Sequence, residues 1–360
     1  MPQGGRCEPP RGMPPAEPHR GHERMGEGRM AMTREGPRIA RRAVLAAALL
    51  APALGRAQVP DRPLRLVLGF PAGSAPDVLA RLLADGMRAA VPAGIVVDNR
   101  PGAGGILAAG EVARATPADG SVLLFGEVGT LAMAPSTYAR LPYDPSRDFV
   151  AVTEVAAVDF AFIVPGGIPG NDLAGFLGWA RTRPEGVFMG TPGAGSPSHF
   201  GASLLAAGAG LRMEPVHFRT QGDATTAILN GEVQGMFGTV ASVAPLLRGR
   251  GGPRALLVTG PARSPLLPEV PTAAEAGYPN LGFEAWFGLV APAATPAPIL
   301  AALDAAALAA LAAPATRASI EGAGFRVAAA GRDAFAARMA AERLRWADVV
   351  RSTGFRAIGE

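Results

Sequence analysis

The sequence contains no lysine: the 34 basic residues of this 360-residue chain are all Arg. That absence removes the Walker A lysine, the phosphate-binding lysine of kinases and the Schiff-base lysine of pyridoxal enzymes, so those three chemistries are excluded. Cysteine occurs once, at Cys7, which rules out an intrachain disulfide and a Cys-rich metal site. Aromatic residues make up only 6% of the chain, whereas 49% is hydrophobic and 47 residues are Gly. The length suits about two domains, each large enough for its own core. A formal charge of +4 raises the question of a nucleic-acid partner. The answer depends on where that charge lies.

Residues 1–57 read as a leader. Residues 1–38 are rich in Gly, Pro, Arg and Glu and have no apolar periodicity; Arg41-Arg42 then precede twelve uncharged residues, Ala43 to Leu54, and Gly55-Arg56-Ala57. A charged segment, a short apolar run and small residues at −3 and −1 make a secretory signal, with cleavage predicted after Ala57. Twelve residues are far fewer than the ~20 that span a bilayer, and Pro52 interrupts them. The Arg pair suits twin-arginine export, and Sec signals also start with Arg. Met32 begins a more ordinary leader, so the start of translation is open between Met1 and Met32. No Cys follows the apolar run, so the expected product is periplasmic, soluble and not lipidated.

The leader holds ten Arg and five Glu, a balance of +5, and the remaining 303 residues hold 24 Arg and 25 acidic residues, a balance of −1. The basic character therefore belongs to the leader, and no nucleic-acid partner is expected. After Ala57 the chain has no Cys and only His199 and His217, too few for a multi-His metal site or a thiol enzyme. No cofactor or metal is expected.

From Pro63 onward short apolar strands alternate with longer amphipathic or Ala-rich stretches. Strands are expected at 64–70, 94–98 and 121–125, and helices over 75–91 and through Ala115. The pattern recurs as helix 171–182, strand 186–191, helix 197–208, strand 214–218, helix 222–230 and strands 233–237 and 254–259. Alternation of this kind argues for mostly parallel sheets flanked by helices. The apolar, Pro-punctuated segments near 148–165 and 260–290 are the expected domain crossings. Toward the end, Ile299, Leu300, Leu303, Leu308 and Leu311 share one helical face, as do Phe335, Met339, Trp346 and Val350. The Ala-rich run 299–313 is short, contains Asp304 and ends at Pro314, so it reads as a packed helix.

The informative places are where strands give way to helices. Ser74 stands at an N-cap position with Asp77 three residues on, an acidic variant of the capping box. In TPGAGSPSH, Thr191 to His199, Ser196 is the expected N-cap and Pro197 occupies N1, where its missing N–H costs nothing. Thr220 and Asp223 repeat the spacing. Such turns lie at carboxyl ends of strands, where open α/β sheets bind ligands, and free N–H groups at a helix start make an anion site without a cation.

Three other readings compete. Asn99 to Gly105 follows a strand and opens a helix like a dinucleotide loop, but its final Gly is absent and Asp119 is poorly placed for a ribose. Ser196 and His199 could form a nucleophile and base, giving a periplasmic hydrolase, although no G-x-S-x-G elbow or third member accompanies them. His217 fits a hydrogen-bonded core or cleft residue, and Trp286 and Phe287 fit core aromatics or a cleft wall.

Taken together, six strings resemble the Bug (TctC-type) extracytoplasmic solute receptors of tripartite tricarboxylate transporters. They are RPLRLVLGFPAGSAPDVLARLLA (62–84), VVDNRPGAGG (96–105), LPYDPSRDFVAV (141–152), GTPGAGSPSH (190–199), RSPLLPEVPTAAEAG (263–277) and WFGLVAPAATPAPI (286–299), in the family's order. The resemblance covers about residues 60–355.

It implies a type II periplasmic-binding-protein fold, two α/β lobes joined by crossing strands around a ligand cleft. On that plan residues 58–160 plus 282–360 form one lobe, 161–260 the other, and 261–281 a crossing segment. The resemblance further implies a non-enzymatic monomer. Its expected ligand is a small carboxylate, a di- or tricarboxylate or an aromatic acid. It is expected to deliver that ligand to the large and small membrane subunits of a tripartite tricarboxylate transporter, or to a sensor kinase.

The ligand-binding residues it implies are Phe70, Gly73, Ser74, Ala75 and Asp77 in the first loop; Thr130; Thr191, Ala194, Gly195, Ser196, Ser198 and His199 in the second loop; and Gly238 and Thr239. The sequence departs from the family pattern at Ala72 and Ser74, across Arg219 to Asp223, and at Gly238-Thr239, where an Asp is usual. The missing Asp argues against amino-acid ligands, and Asp223 would add negative charge if it faced the cleft.

Overall fold

The computed structural model describes residues 61–360 apart from positions 250, 357 and 360, so the expected leader lies outside the described residues. The first βα series is β1 (Leu64–Leu68), α1 (Ala75–Met87), β2 (Ile95–Asn99), α2 (Ile106–Ala113) and β3 (Val122–Glu127), followed by a wide helical turn, Gly129–Met133, and α3 (Ala134–Thr137). After the long strand β4 (Phe149–Val164) comes a second series. It consists of α4 (Leu173–Ala180), β5 (Val187–Thr191), α5 (Pro197–Ala209), β6 (Met213–His217), α6 (Gln221–Leu229), β7 (Gly235–Thr239), α7 (Val240–Val243) and β8 (Arg254–Val258). The chain then forms β9 (Glu284–Pro292), α8 (Ala297–Ala312), α9 (Pro314–Gly322), β10 (Arg326–Ala330) and α10 (Arg332–Ser352).

Pairing follows the two series only at the outer strands. β1 runs parallel to β2 and β3, and β5 runs parallel to β6 and β7. Between them the sheet is antiparallel: β9 against β3 and β4, and β4 against β7, β8 and β10. The expectation of mostly parallel sheets therefore needs correction at the centre. Neither β4 nor β9 is joined through a helix to a parallel neighbour, and an apolar run carries no signal of strand direction. β4 pairs with β9 from Phe149 to Asp159 and with β7 from Phe160 to Ile163, so one strand serves both lobes.

Strand β4 shows why periodicity is silent there. Nearly all of FVAVTEVAAVDFAFIV is buried, because helices cover both faces. Its buried Glu154 pairs with Arg338, which also donates to Glu284 at 2.8 Å. Helix α8 packs Leu300, Leu303 and Leu311 inward as its spacing predicts, with Ile299 and Leu308 half-buried. Among the described residues no single helix is long and apolar enough to cross a membrane. Phe335, Met339, Trp346 and Val350 of α10 are all buried. Trp346 reaches Phe200 of the second lobe, ring centroids 6.0 Å apart, so α10 touches both halves. Trp286 is a core residue, fully buried against Phe335, and Phe287 stacks on Phe125 at 6.0 Å.

Candidate ligand-binding cleft

The loop between β1 and α1 is braced from below by one carboxylate. Asp77 is 2% exposed; its Oδ2 accepts from the Gly73 N–H at 2.8 Å and from Arg81 Nε at 3.0 Å, and its Oδ1 accepts from Asn99 Nδ2 at 2.9 Å. Asn99 also donates to the Phe70 carbonyl at 3.0 Å, so the end of β2 clamps the loop as well. Burial opposes ionisation of Asp77, but the hydrogen bonds from Arg81, Gly73 and Asn99 outweigh it and hold the carboxyl below its usual range. The Ser74 hydroxyl does not cap α1, contrary to the sequence reading; it donates to the Pro71 carbonyl at 2.7 Å. The reason lies in the loop geometry: Gly73 has φ +79°, which turns its N–H toward Asp77, and the capping pair runs through the acid alone. Among the described residues the N–H groups of Ala75 and Asp77 have no protein acceptor.

The second loop follows its sequence pattern more closely. Ser196 caps α5, accepting from the His199 N–H at 3.2 Å, with Pro197 in the first turn. Its hydroxyl donates to the Gly193 carbonyl at 2.9 Å. Thr191 is buried, and its Oγ1 lies 2.7 Å from His217 Nδ1 and 3.3 Å from the Gly193 carbonyl. Ser198 is buried and donates to the Phe237 carbonyl at 2.8 Å, tying α5 to β7. The serine hydroxyl protons of both loops thus go to backbone carbonyls, leaving backbone N–H groups as the free donors. The N–H groups of Ala194, Ser196 and Ser198 have no acceptor among the described residues.

His199 is buried beneath this loop. Its Nδ1 accepts from the Gly195 N–H at 3.0 Å, and its ring lies between Phe200, His217 and Phe355. Burial, reinforced by His217, pushes its pKa down to about 4, so the ring is neutral at pH 7. This geometry does not make a nucleophile–base pair: Ser196 Oγ bonds the backbone N–H of His199, while the imidazole Nδ1 is taken by Gly195. His217 stands exposed at the end of β6, with its Nδ1 2.7 Å from Thr191 Oγ1 and its ring 4.9 Å from that of His199. Thr220 and Asp223 form a full reciprocal capping box on α6, which accounts for the Asp223 carboxylate locally. Gly238 lies tightly against Val243 and Gln221, and Thr239 Oγ1 donates to Ser242.

Between the two loops lies a cavity of about 320 Å³. Phe70, Ala194, Gly195 and Ser196 of the expected site border it. Gly73, Ser74, Ala75, Asp77, Thr130, Thr191, Ser198, His199, Gly238 and Thr239 do not; several of them hold the bordering loops in place through the hydrogen bonds above. The Gly-rich stretch after β2 also contributes to the wall, and its glycines answer a steric need. A Cβ on Gly69 would sit 2.3 Å from the Gly105 Cα, and one on Gly105 would sit 2.8 Å from Thr130 Cγ2. The stretch that looked like a dinucleotide loop is a close junction of three strand ends.

The sequence reading missed Glu127, Gly129, Thr137, Tyr138 and Ile358, which also border the cavity. Glu127 had a usable signal, an acid at the carboxyl end of the third strand, but the expected strand stopped at Phe125. Its Oε2 accepts from the Gly129 N–H at 2.5 Å and its Oε1 from the Thr130 N–H at 2.8 Å. Burial raises its pKa, against the lowering effect of those two N–H groups and the Thr130 hydroxyl. Ile358 arrives from the far end of the chain, paired with Tyr138 through the Thr137 carbonyl (2.8 Å) and the Ala139 N–H (3.1 Å). Among the described residues no group of three or more His, Cys, Asp or Glu could hold a metal.

Two lobes sharing a central strand, with strand-to-helix turns facing a cavity between them, define a solute-binding protein of the periplasmic-binding-protein fold. The sequence profile of the tripartite tricarboxylate transporter family receptor matches residues 79–355, and the chain belongs to that family. A UPF0065 protein from the tcbD-tcbE intergenic region of Pseudomonas sp. strain P51 is 34% identical over 87% of this chain and 94% of its own length. Two structures from Rhodopseudomonas palustris are similar. MatC with bound malate is 32% identical, with a TM-score of 0.70 and coverage of 81% of this chain and 99% of that one. A second protein, with adipate, is 30% identical, with a TM-score of 0.73 and coverage of 82% and 98%. The chain is accordingly a receptor and not an enzyme, which sets aside the Ser196–His199 hydrolase.

Proposed function

We propose that this receptor captures a small carboxylate in the cavity between the two loops and delivers it to the membrane subunits of a tripartite tricarboxylate transporter. The observation that carries the reading is one cavity set between the two strand-to-helix turns, bordered by Phe70 of the first and by Ala194, Gly195 and Ser196 at the start of α5 in the second. The unpaired N–H groups of Ala194 and Ser196 and the α5 dipole favour an anion there without a cationic side chain. The malate and adipate held by the two similar proteins support the ligand class. In this reading Asp77, His199, Thr191 and Ser198 position the loops, while Gly73, Ser74 and Ala75, which stand outside the cavity wall in this structure, close on the ligand when it binds.

The protein acts in the periplasm after removal of residues 1–57, which the leader pattern supports. The change of β4 partners after Asp159 supports a lobe boundary near residue 160. The test is native mass spectrometry and melting of the purified protein against a panel of mono- and dicarboxylates. A ligand at a hundred times its Kd adds about 2.7 kcal/mol of stability, an easily seen shift. If no carboxylate co-purifies or raises the melting temperature, the proposal fails.

A further inference from the structure

Glu127 introduces a carboxylate into the wall of a cavity read as an anion site. It stands at the end of β3 in the first lobe, and its side chain folds back over Gly129. Position 129 allows this because a Cβ there would lie 2.6 Å from Glu127 Oε1. The two carboxylate oxygens accept one backbone N–H each, from Gly129 and Thr130. A carboxylate has about four acceptor positions, so each oxygen retains acceptor capacity in a residue that borders the cavity. Among the described residues no guanidinium forms a salt bridge with Glu127, and the chain has no Lys to supply an ammonium. Tyr138, also on the cavity wall, uses its hydroxyl proton on the Ala103 carbonyl.

A half-buried carboxylate with spare acceptor capacity and no salt-bridge partner among the described residues favours a donor or a positive charge and disfavours a second negative charge. We propose that Glu127 sets the ligand class: a carboxylate whose far end carries a hydrogen-bond donor, hydroxyl or ammonium, in place of a second carboxylate. This rests on the carboxylate-receptor reading and narrows it.

The test measures calorimetric Kd values for two matched series, succinate, 4-hydroxybutanoate and 4-aminobutanoate, then adipate, 6-hydroxyhexanoate and 6-aminohexanoate. Wild type, Glu127→Gln and Glu127→Ala are compared, with melting curves to establish folding. In wild type a hydroxy or amino acid should bind at least about tenfold tighter than the dicarboxylate of its length, the ratio that about 1.4 kcal/mol produces. In both variants that ratio should fall by a similar factor. If carboxylates bind but the ratio is unchanged in the variants, Glu127 does not set the class and the receptor reading stands alone. If no member of either series binds wild type, the carboxylate reading fails and the proposal with it. A hydroxy acid preferred over an amino acid identifies the donor as neutral, and the reverse identifies it as ammonium; either supports the proposal.

Discussion

Replacing Asp77 with Ala should destabilise the protein and loosen its cleft together. The carboxylate accepts the Gly73 N–H, the Asn99 amide and the Arg81 guanidinium from a position 2% exposed. Removing the acceptor leaves the Gly73 and Asn99 donors unsatisfied at about 1–3 kcal/mol each. The Arg81 side chain is 50% exposed, so its loss adds about 0–1 kcal/mol. The expected total is about 2–7 kcal/mol, read from urea unfolding at pH 7 as a lower midpoint. The same variant should bind a carboxylate ligand more weakly, because Phe70 is held by the Asn99 that Asp77 orients. Acid gives an independent signature. The folded-state pKa of Asp77 is lowered, so its contribution is present above the ordinary carboxylate pKa of about 4 and is lost as pH falls through the folded value. Wild type should therefore lose its advantage over the variant in that acid range. A stability change below about 0.5 kcal/mol at pH 7, or an advantage that persists unchanged to pH 2, would refute the bracing role.

Two further outcomes follow from the second loop. Ser196→Ala should cost about 0.5–2 kcal/mol through loss of the α5 cap and should weaken carboxylate binding, measured by chemical unfolding and calorimetry; unchanged values for both would mean the cap contributes nothing. His199 has a folded pKa of about 4, below its unfolded value of about 6.5, so wild type should lose stability as pH drops from 6.5 toward 4. His199→Gln, compared in melting experiments over that range, should show a shallower decline, and parallel curves would contradict the neutral buried imidazole.

The strand-to-helix turns were legible because Gly, Ser and Pro at fixed offsets have local causes. Ser196 with Pro197, and Thr220 with Asp223, form the caps their spacing predicts. The pattern Ser74-x-x-Asp77 was ambiguous in a physical sense: either residue can close the turn, and the left-handed Gly73 decided for the acid. The antiparallel centre was illegible, since β4 is covered on both faces and carries no alternation. Cavity-wall residues such as Tyr138 and Ile358 were missed because nothing local marks them, and they meet only after segments far apart in the chain have paired; Glu127 was missed because the expected strand ended two residues short of it.

The pairing of Ile358 with Tyr138 has a consequence for synthesis. The cavity wall draws on Gly69 and Phe70 near the start of the fold and on Ile358 some 290 positions later. A ribosome must therefore deliver nearly the whole chain before the last wall of the pocket exists. Chains stopped short of Ile358 could bury most of their core and still present an incomplete vessel, so ligand capture reports that the Ile358–Tyr138 pairing has formed.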